Sequence, residues 1–193
     1  MSSLYRILRR FNHRYRGVVI LTLAVILLTL ATPMRAHAAA GGTADQQFAI
    51  GVKLLAATGD TAATSHATAN IWLAMAAARG HDSAQFHLAV SFQKGRGVTK
   101  NLAAAIYLYR QAAAQNHATA QHNLAVLYSN GSGVKRDYEA ALALLLIARR
   151  QPGLSAAGQR QIGQLMAKIQ AQLNSTQIGR AEWQAAQIIG SDI

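Results

Sequence analysis

Histidine is the residue type in this chain with the clearest capacity for metal binding or catalysis. There are seven histidines and no cysteine, and the seven acidic residues are scattered, with Asp137 and Glu139 the only close pair. His87, His117 and His122 could approach one another around a zinc ion if they lie on neighbouring helices. No H-E-x-x-H motif accompanies them. We therefore predict neither a metal site nor any other cofactor.

Nucleophilic and phosphate-binding chemistry find little support in the sequence. The G-x-S-x-G motif of a serine nucleophile is absent. Gly95-Arg96-Gly97 is glycine-rich but does not have the G-x-x-x-x-G-K spacing of a phosphate-binding loop. We predict that the chain has no catalytic residues and is not an enzyme.

The strongest pattern is an internal repeat of 36 residues. Residues 69–104 align without a gap with residues 105–140, and 14 of the 36 positions are identical. Each unit has an apolar stripe of helical spacing, a G-x-G-V loop and a second apolar stripe, which predicts two helices per unit. Asn101 and Asp137 are placed to cap the second helices. The repeated residues with expected structural roles are Ala84, Leu88, Gly95, Gly97, Val98, Ala120, Leu124, Tyr128, Gly131, Gly133 and Val134.

These residues resemble the Sel-one-like repeat family, which is related to the tetratricopeptide repeats. The family pattern runs A-Q-x-x-L-G-x-x-Y-x-x-G-x-G-V and ends in A-A-x-x-G-H, and residues 84–148 follow it closely. The departures are Ala89 and Ala125, where the family prefers glycine, and Asn116 and Pro152 at the turn glycine. The resemblance implies an all-α fold, an α-α superhelix of right-handed helical hairpins.

The repeats divide the chain into four predicted parts. These are a signal peptide over residues 1–38, a linker over 39–45, repeats over 46–152 and C-terminal capping helices over 153–193. The repeats are expected at residues 46–80, 81–116 and 117–152. The first is degenerate because its loop, residues 58–65, has lost the paired glycines. Ser155 and Asn174 are placed to start the two capping helices.

The N-terminal segment has the order of a secretory signal peptide. Arginines precede the apolar run Gly17–Ala31, and Ala36-His37-Ala38 supplies small residues for cleavage after Ala38. A retained anchor is the alternative, although the run is shorter than the roughly 20 residues of a comfortable span. Both outcomes export the repeats, to the periplasm or outside the cell. Six of the twelve excess positive charges precede residue 39, so the net charge does not predict a nucleic-acid partner.

Two surfaces are candidates for partner binding. In the related tetratricopeptide superhelix the first helices line a concave groove, so the resemblance implies a groove for a protein or peptide. Its residues would be Phe86, Val90, Gln93, Lys94, His122, Val126, Ser129 and Asn130. The second surface is a basic edge at the loops, formed by Lys94, Arg96, Lys100, Lys135 and Arg136. It would bind an acidic partner, a phospholipid or an anionic envelope polymer, and the alternative is that these charges only aid solubility.

We therefore expect an exported, non-enzymatic scaffold that binds a protein or peptide partner. Contact with a membrane is expected only through an uncleaved N-terminal segment. The alternative is a hydrolase acting on envelope material, since some cysteine-rich relatives have been linked to β-lactam binding or hydrolysis. Their disulfide framework is missing here. His81 and His117 occupy equivalent turns, and we expect them to form structural hydrogen bonds.

Overall fold

The computed structural model describes residues 42–56, 62–152 and 154–190. Within these ranges the chain forms eight α-helices and no strand. The predicted signal peptide and residues 39–41 of the predicted linker lie outside the described residues. The helices are α1 (Ala44–Leu55), α2 (Ala62–Ala78), α3 (Asp82–Lys94), α4 (Leu102–Ala114), α5 (Ala118–Asn130), α6 (Tyr138–Arg150), α7 (Ala156–Gln170) and α8 (Ser175–Gly190).

Helices that follow one another in the chain pack together. α1 packs on α2, α3 on α4 and α5 on α6, and contacts of α2 with α3 and of α4 with α5 join these three pairs. The all-helical solenoid of helix pairs that the sequence predicts is therefore confirmed. None of the helices in the described ranges is long and apolar enough to cross a membrane.

Side-chain caps start the helices of the two regular repeats. The Nδ1 atoms of His81 and His117 each accept a hydrogen bond at 3.2 Å from the backbone N–H three residues later. Asn101 and Asp137 cap α4 and α6 in the same way, as predicted. Asn116 has the left-handed φ of 64° that the turn before a first helix requires. Because asparagine tolerates this conformation, it can replace the family's glycine.

Buried amides tie each repeat to the one before it. Gln85 and Gln121 donate to carbonyls in the last turn of the preceding second helix, at 3.3 and 3.0 Å. Asn70 in α2 donates at 2.7 Å to the carbonyl of Arg96, in the loop of the next repeat. The carbonyls of Ala77 and Ala113 also accept backbone hydrogen bonds from Gly80 and Asn116, so the two glutamines add a second bond to each.

The second glycine of each loop lies directly on the preceding repeat. A Cβ atom at Gly97 would be 2.5 Å from the backbone nitrogen of Ala67 in α2. A Cβ atom at Gly133 would be 2.7 Å from Cβ of Leu102 in α4. Both glycines also have positive φ angles, 66° and 74°. Only glycine allows this backbone conformation and this contact together.

Alanines at repeat-equivalent positions form the interior between the helices. Their side chains have no exposed area, which lets helix axes approach closely while Leu73, Leu145 and Tyr109 fill the remaining space. Ala89 and Ala125, where the family prefers glycine, are accommodated without exposure. The other fully buried alanines of the repeats are Ala69, Ala76, Ala84, Ala105, Ala112, Ala120, Ala141 and Ala148.

The two C-terminal helices both pack on α6. Ser155 caps α7, and the Asn174 and Gln177 side chains cap the start of α8 reciprocally. α8 covers the side of α6 that includes Ala143, which shares an apolar cluster with α8 and is 6% exposed. The equivalent positions in α2 and α4, Ile71 and Tyr107, are 62% and 63% exposed. α8 therefore covers a helix side that the earlier repeats leave open.

Three helix boundaries differ from the sequence-based expectation. α1 begins at Ala44, inside the predicted linker, where Asp45 stabilises the first turn. α2 begins at Ala62, inside the loop predicted for residues 58–65, because the alanine-rich sequence from Ala62 onward has no glycine or proline before Gly80. α7 ends at Gln170, whereas the apolar spacing after Ser155 predicts a helix that continues to Leu173.

Candidate functional site

The first helices of the two regular repeats present matching surface stripes. In each helix the stripe has the i, i+3, i+4, i+7 and i+11 spacing of residues that share one side of a helix. We call this surface the first-helix face. It consists of Ser83, Phe86, His87, Val90 and Lys94 in α3 and of Thr119, His122, Asn123, Val126 and Asn130 in α5.

Six of the eight predicted groove residues lie on the first-helix face, and Gln93 and Ser129 do not. Gln93 is half-buried and turns toward α4, where its Oε1 atom accepts a hydrogen bond from Tyr109. Ser129, at the equivalent position, is buried and donates its hydroxyl to the carbonyl of Val126 at 3.0 Å. These two side chains therefore support the helices and are not displayed to a partner.

Four residues of the face were missed by the sequence-based prediction. Ser83 is equivalent to Thr119, and His87 is equivalent to Asn123, because each pair lies 36 residues apart. Identifying one residue of a pair as part of the face therefore identifies the other. A strict helical spacing from Val90 selects Ser83 and His87. The prediction included Gln93 instead, which lies at the border with α4.

A buried tyrosine connects the helices beneath the face. The Tyr109 hydroxyl in α4 donates to Oε1 of Gln93 in α3 at 2.6 Å and accepts from Nδ2 of Asn123 in α5 at 3.2 Å. Burial raises the pKa of Tyr109 to about 12, so the hydroxyl keeps its proton at neutral pH. This hydrogen-bonded chain fixes the spacing of α3 and α5, and it orients the Asn123 amide on the face.

A row of aromatic and imidazole rings runs across the starts of the first helices. Phe86 stacks on His117 with centroids 4.8 Å apart and planes 19° apart, and Phe48 in α1 lies 4.4 Å from His81. His87 lies between the two phenylalanines, at 5.3 Å from Phe86 and 5.6 Å from Phe48. The row links α1 to α3 and α3 to the turn before α5.

Burial favours the uncharged form of two imidazoles of this row, His87 and His117. It lowers the pKa of His87, with a further contribution from nearby His117, and it lowers the pKa of His117 against an opposing effect of Asp82. Since Nδ1 of His117 accepts the capping hydrogen bond, its proton is assigned to Nε2. The row is thus an apolar, packed feature in which His117 has the structural role that its turn position predicts.

The three histidines considered for zinc do not form a site. Across the described ranges, no three histidines or carboxylates lie close enough together to hold a metal ion. His87 and His117 belong to the ring row. His122 instead lines a cavity of about 440 Å³ with Pro152 and the start of α7.

Two serine–lysine pairs have the S-x-x-K spacing of certain acyl-transferring enzymes, which the sequence-based prediction overlooked. Ser91 and Lys94 lie in α3, but Ser91 is 2% exposed and belongs to the interior. Ser132 and Lys135 lie in the loop between α5 and α6, where no helical turn aligns them. Neither pair presents an accessible serine with a lysine one helical turn away.

The residues of the predicted basic edge are exposed at two successive loops. Arg96 and Lys100 lie at the loop between α3 and α4, and Lys135 and Arg136 lie at the loop between α5 and α6. The second loop borders a cleft of about 560 Å³, which Arg110 of α4 also lines. Arg110 was not part of the predicted edge because it lies in a helix and not in a loop.

The architecture and the repeated residues agree with a known repeat family. The Sel1 repeat matches the chain three times, at residues 47–81, 82–117 and 118–152. The chain belongs to the Sel1 repeat family. The capping histidines, the buried Gln85 and Gln121 and the loop glycines are thus parts of successive Sel1 repeats.

Two solved structures are similar to this Sel1 repeat chain. One is a protective antigen present in uropathogenic Escherichia coli strains that displays an SLR fold, with 28% identity and a TM-score of 0.69. The match covers 79% of this chain and 31% of that one. The other is a Sel1 repeat protein from Oxalobacter formigenes, with 34% identity, a TM-score of 0.51 and coverage of 55% and 41%. The chain thus spans less than half the length of either neighbour. No curated protein sequence matches it significantly.

We predict that Tyr109→Phe destabilises the protein by about 2 kcal/mol, because it leaves the Gln93 and Asn123 amides without their shared partner. Tyr107→Phe is the matched control, since Tyr107 is largely exposed. Removing its hydroxyl should change the free energy of unfolding by less than about 0.5 kcal/mol. Urea unfolding followed by circular dichroism measures both values. Equal effects of the two changes would contradict a supporting role for the Tyr109 hydroxyl.

Proposed function

We propose that this Sel1 repeat protein is an exported, non-enzymatic scaffold that binds an extended segment of a protein partner along the first-helix face. Sel1 repeats generally serve as protein-interaction scaffolds, which gives the coarse function. The observation that carries the finer proposal is the matching pair of stripes on α3 and α5, whose members share repeat-equivalent positions.

The chemistry of the face suits a peptide ligand. Phe86, Val90 and Val126 are half-buried and offer apolar contact in the middle of the face. Asn123 and Asn130 can each donate to and accept from a peptide main chain. This combination of apolar anchors with amides is typical of grooves that bind extended or helical segments.

The preorganisation of the face favours specific binding. Phe86 is held by the His117 ring, and Asn123 is held by the Tyr109 hydroxyl. Side chains fixed before binding lose less conformational entropy when a partner arrives, so more of the contact energy appears as affinity. The Lys94 ammonium group, exposed at the end of α3, would favour a partner with a carboxylate there.

Export is the part of the proposal that rests on residues 1–38 alone. We expect the mature chain to begin at Ala39, because the small residues at positions 36 and 38 fit the specificity of signal peptidase. N-terminal sequencing of the protein recovered from the cell envelope and from the medium tests this expectation. A chain that still begins at Met1 would replace the cleaved signal by a retained anchor, and recovery in the cytoplasm alone would refute export.

Partner capture tests the face itself. The protein, expressed from the full chain with a C-terminal tag, is used to capture envelope proteins, which mass spectrometry then quantifies. Val126→Glu places a carboxylate at a half-buried position in the apolar middle of the face. Because a bound partner would bury this charge, capture of a specific partner should fall at least about tenfold. Tyr107→Glu is the matched control, because it adds the same charge at an exposed apolar position of α4, outside the face.

The two variants must have circular dichroism spectra and unfolding midpoints close to those of the unchanged protein before capture is compared. Loss of the partner with Val126→Glu alone supports the face. Equal loss with both variants, or loss with Tyr107→Glu alone, would show that the partner binds elsewhere.

A further inference from the structure

A cleft of about 560 Å³ lies where the last repeat meets the C-terminal helices. It is bordered by α4, by the loop between α5 and α6, and by the connection between α7 and α8. We propose that this loop-edge cleft is a second binding site, separate from the first-helix face, and that its ligand is an acidic peptide segment. Its volume is in the range of pockets that hold small ligands.

The cleft has an excess of positive charge that is not neutralised internally. Arg110, Lys135 and Arg136 line it, and none of them forms an ion pair with a carboxylate of the described residues. The two carboxylates in its wall are already engaged. Asp137 caps α6 through its Oδ1 atom, and Glu139 forms two hydrogen bonds with Arg180, at 2.6 and 2.8 Å.

The engagement of Glu139 also keeps it charged and turned toward Arg180. The Arg180 hydrogen bonds lower the pKa of Glu139, so the carboxylate stays ionised and paired. The three cations of the cleft are therefore left for a ligand from outside. Since the Glu139–Arg180 pair is exposed, it contributes to the shape of the wall more than to stability.

Two guanidinium groups are positioned before any ligand arrives. Arg110 donates from Nη2 to the Tyr128 hydroxyl at 2.6 Å. This bond fixes the guanidinium, whose other N–H groups can donate to a ligand. The Arg136 guanidinium lies 5.6 Å from the centroid of the Tyr138 ring. Arginine in a fixed orientation is suited to planar carboxylates, with which it forms paired hydrogen bonds.

The rest of the lining favours a peptide over a densely charged polymer. Val134 and Leu173 contribute apolar surface beside the cations, and Gln172 offers an amide that can pair with a peptide main chain. A ligand with carboxylates separated by small apolar groups matches this alternation. A polymer with a phosphate at every unit would leave the apolar part of the lining unused.

The cations that line the cleft are not all repeated along the array. Lys100 is the repeat equivalent of Arg136, but Thr99 stands at the position of Lys135 and Ala74 at that of Arg110. The position next to the earlier loop is occupied by the loop between α5 and α6, whose Gly133 lies on Leu102, and not by the connection between α7 and α8. Lys100 is therefore a matched control, since it is an exposed cation at the same repeat position without the cleft.

Fluorescence anisotropy with labelled peptides tests the site. The probes are a short peptide of alternating glutamate and alanine and its glutamine counterpart, titrated at low ionic strength with protein expressed from the full chain. We expect the glutamate peptide to bind at least about tenfold more tightly than the glutamine peptide. Arg110→Gln and Arg136→Gln should each weaken binding about tenfold, and Lys100→Gln less than about twofold.

Competing outcomes are distinguished by two further titrations, with phosphatidylglycerol vesicles and with soluble polyphosphate. If either binds in an Arg110-dependent way and the glutamate peptide does not bind, the peptide proposal is overturned in favour of a phosphate ligand. If Lys100→Gln weakens peptide binding as much as Arg136→Gln, binding belongs to diffuse positive charge and the cleft is not a site. Should Arg110→Gln fail to fold, the comparison of Arg136→Gln with Lys100→Gln decides alone.

Discussion

The arrangement of this protein depends on the close contact between each loop and the second helix of the preceding repeat. At Gly97 the loop backbone approaches the α2 backbone so closely that a single added carbon would overlap it. Asn70 fixes the same contact by donating to the Arg96 carbonyl. Because Gly133 repeats the contact on α4, one local geometry sets the spacing between successive repeats. The first-helix face follows from that spacing.

The fold could be predicted from the sequence because its determinants are local and repeated. The G-x-G-V loops, the caps at Asn101 and Asp137 and the 36-residue period all point to the same helix pairs. The start of α2 could not be predicted in this way, since the degenerate first loop lacks the glycines that mark a boundary. The position of α8 on the outer side of α6 also depends on tertiary contacts, among them the packing of Ala143 against α8.

The candidate surfaces were predictable only in part. Helical spacing placed Phe86, Val90 and Val126 on the surface of the first helices, but it could not show that Gln93 turns to the Tyr109 hydroxyl. That hydrogen bond joins residues 16 positions apart in different helices, and no sequence period encodes it. The contribution of Arg110 to the cleft has the same origin, because it comes from a helix while its neighbours come from loops.

The residues of the repeats can be divided into those that support the fold and those on the proposed binding surfaces. The capping histidines and the loop glycines build and space the repeats, whereas Phe86 and His87 belong both to the ring row and to the first-helix face. The two proposed binding sites, the first-helix face and the loop-edge cleft, share no residue, although α5 contributes side chains to both.

The most direct test of this account compares alanine at the two glycines of one loop. Gly95 and Gly97 both have positive φ, but a Cβ atom at Gly95 would come no closer than 3.4 Å to its neighbours. We predict that Gly95→Ala lowers the free energy of unfolding in urea by about 1 kcal/mol, for backbone strain alone. Gly97→Ala should lower it by about 3 kcal/mol, because strain and overlap with α2 combine. Equal losses for the two variants would contradict the claim that the loop contact sets the stacking of the repeats.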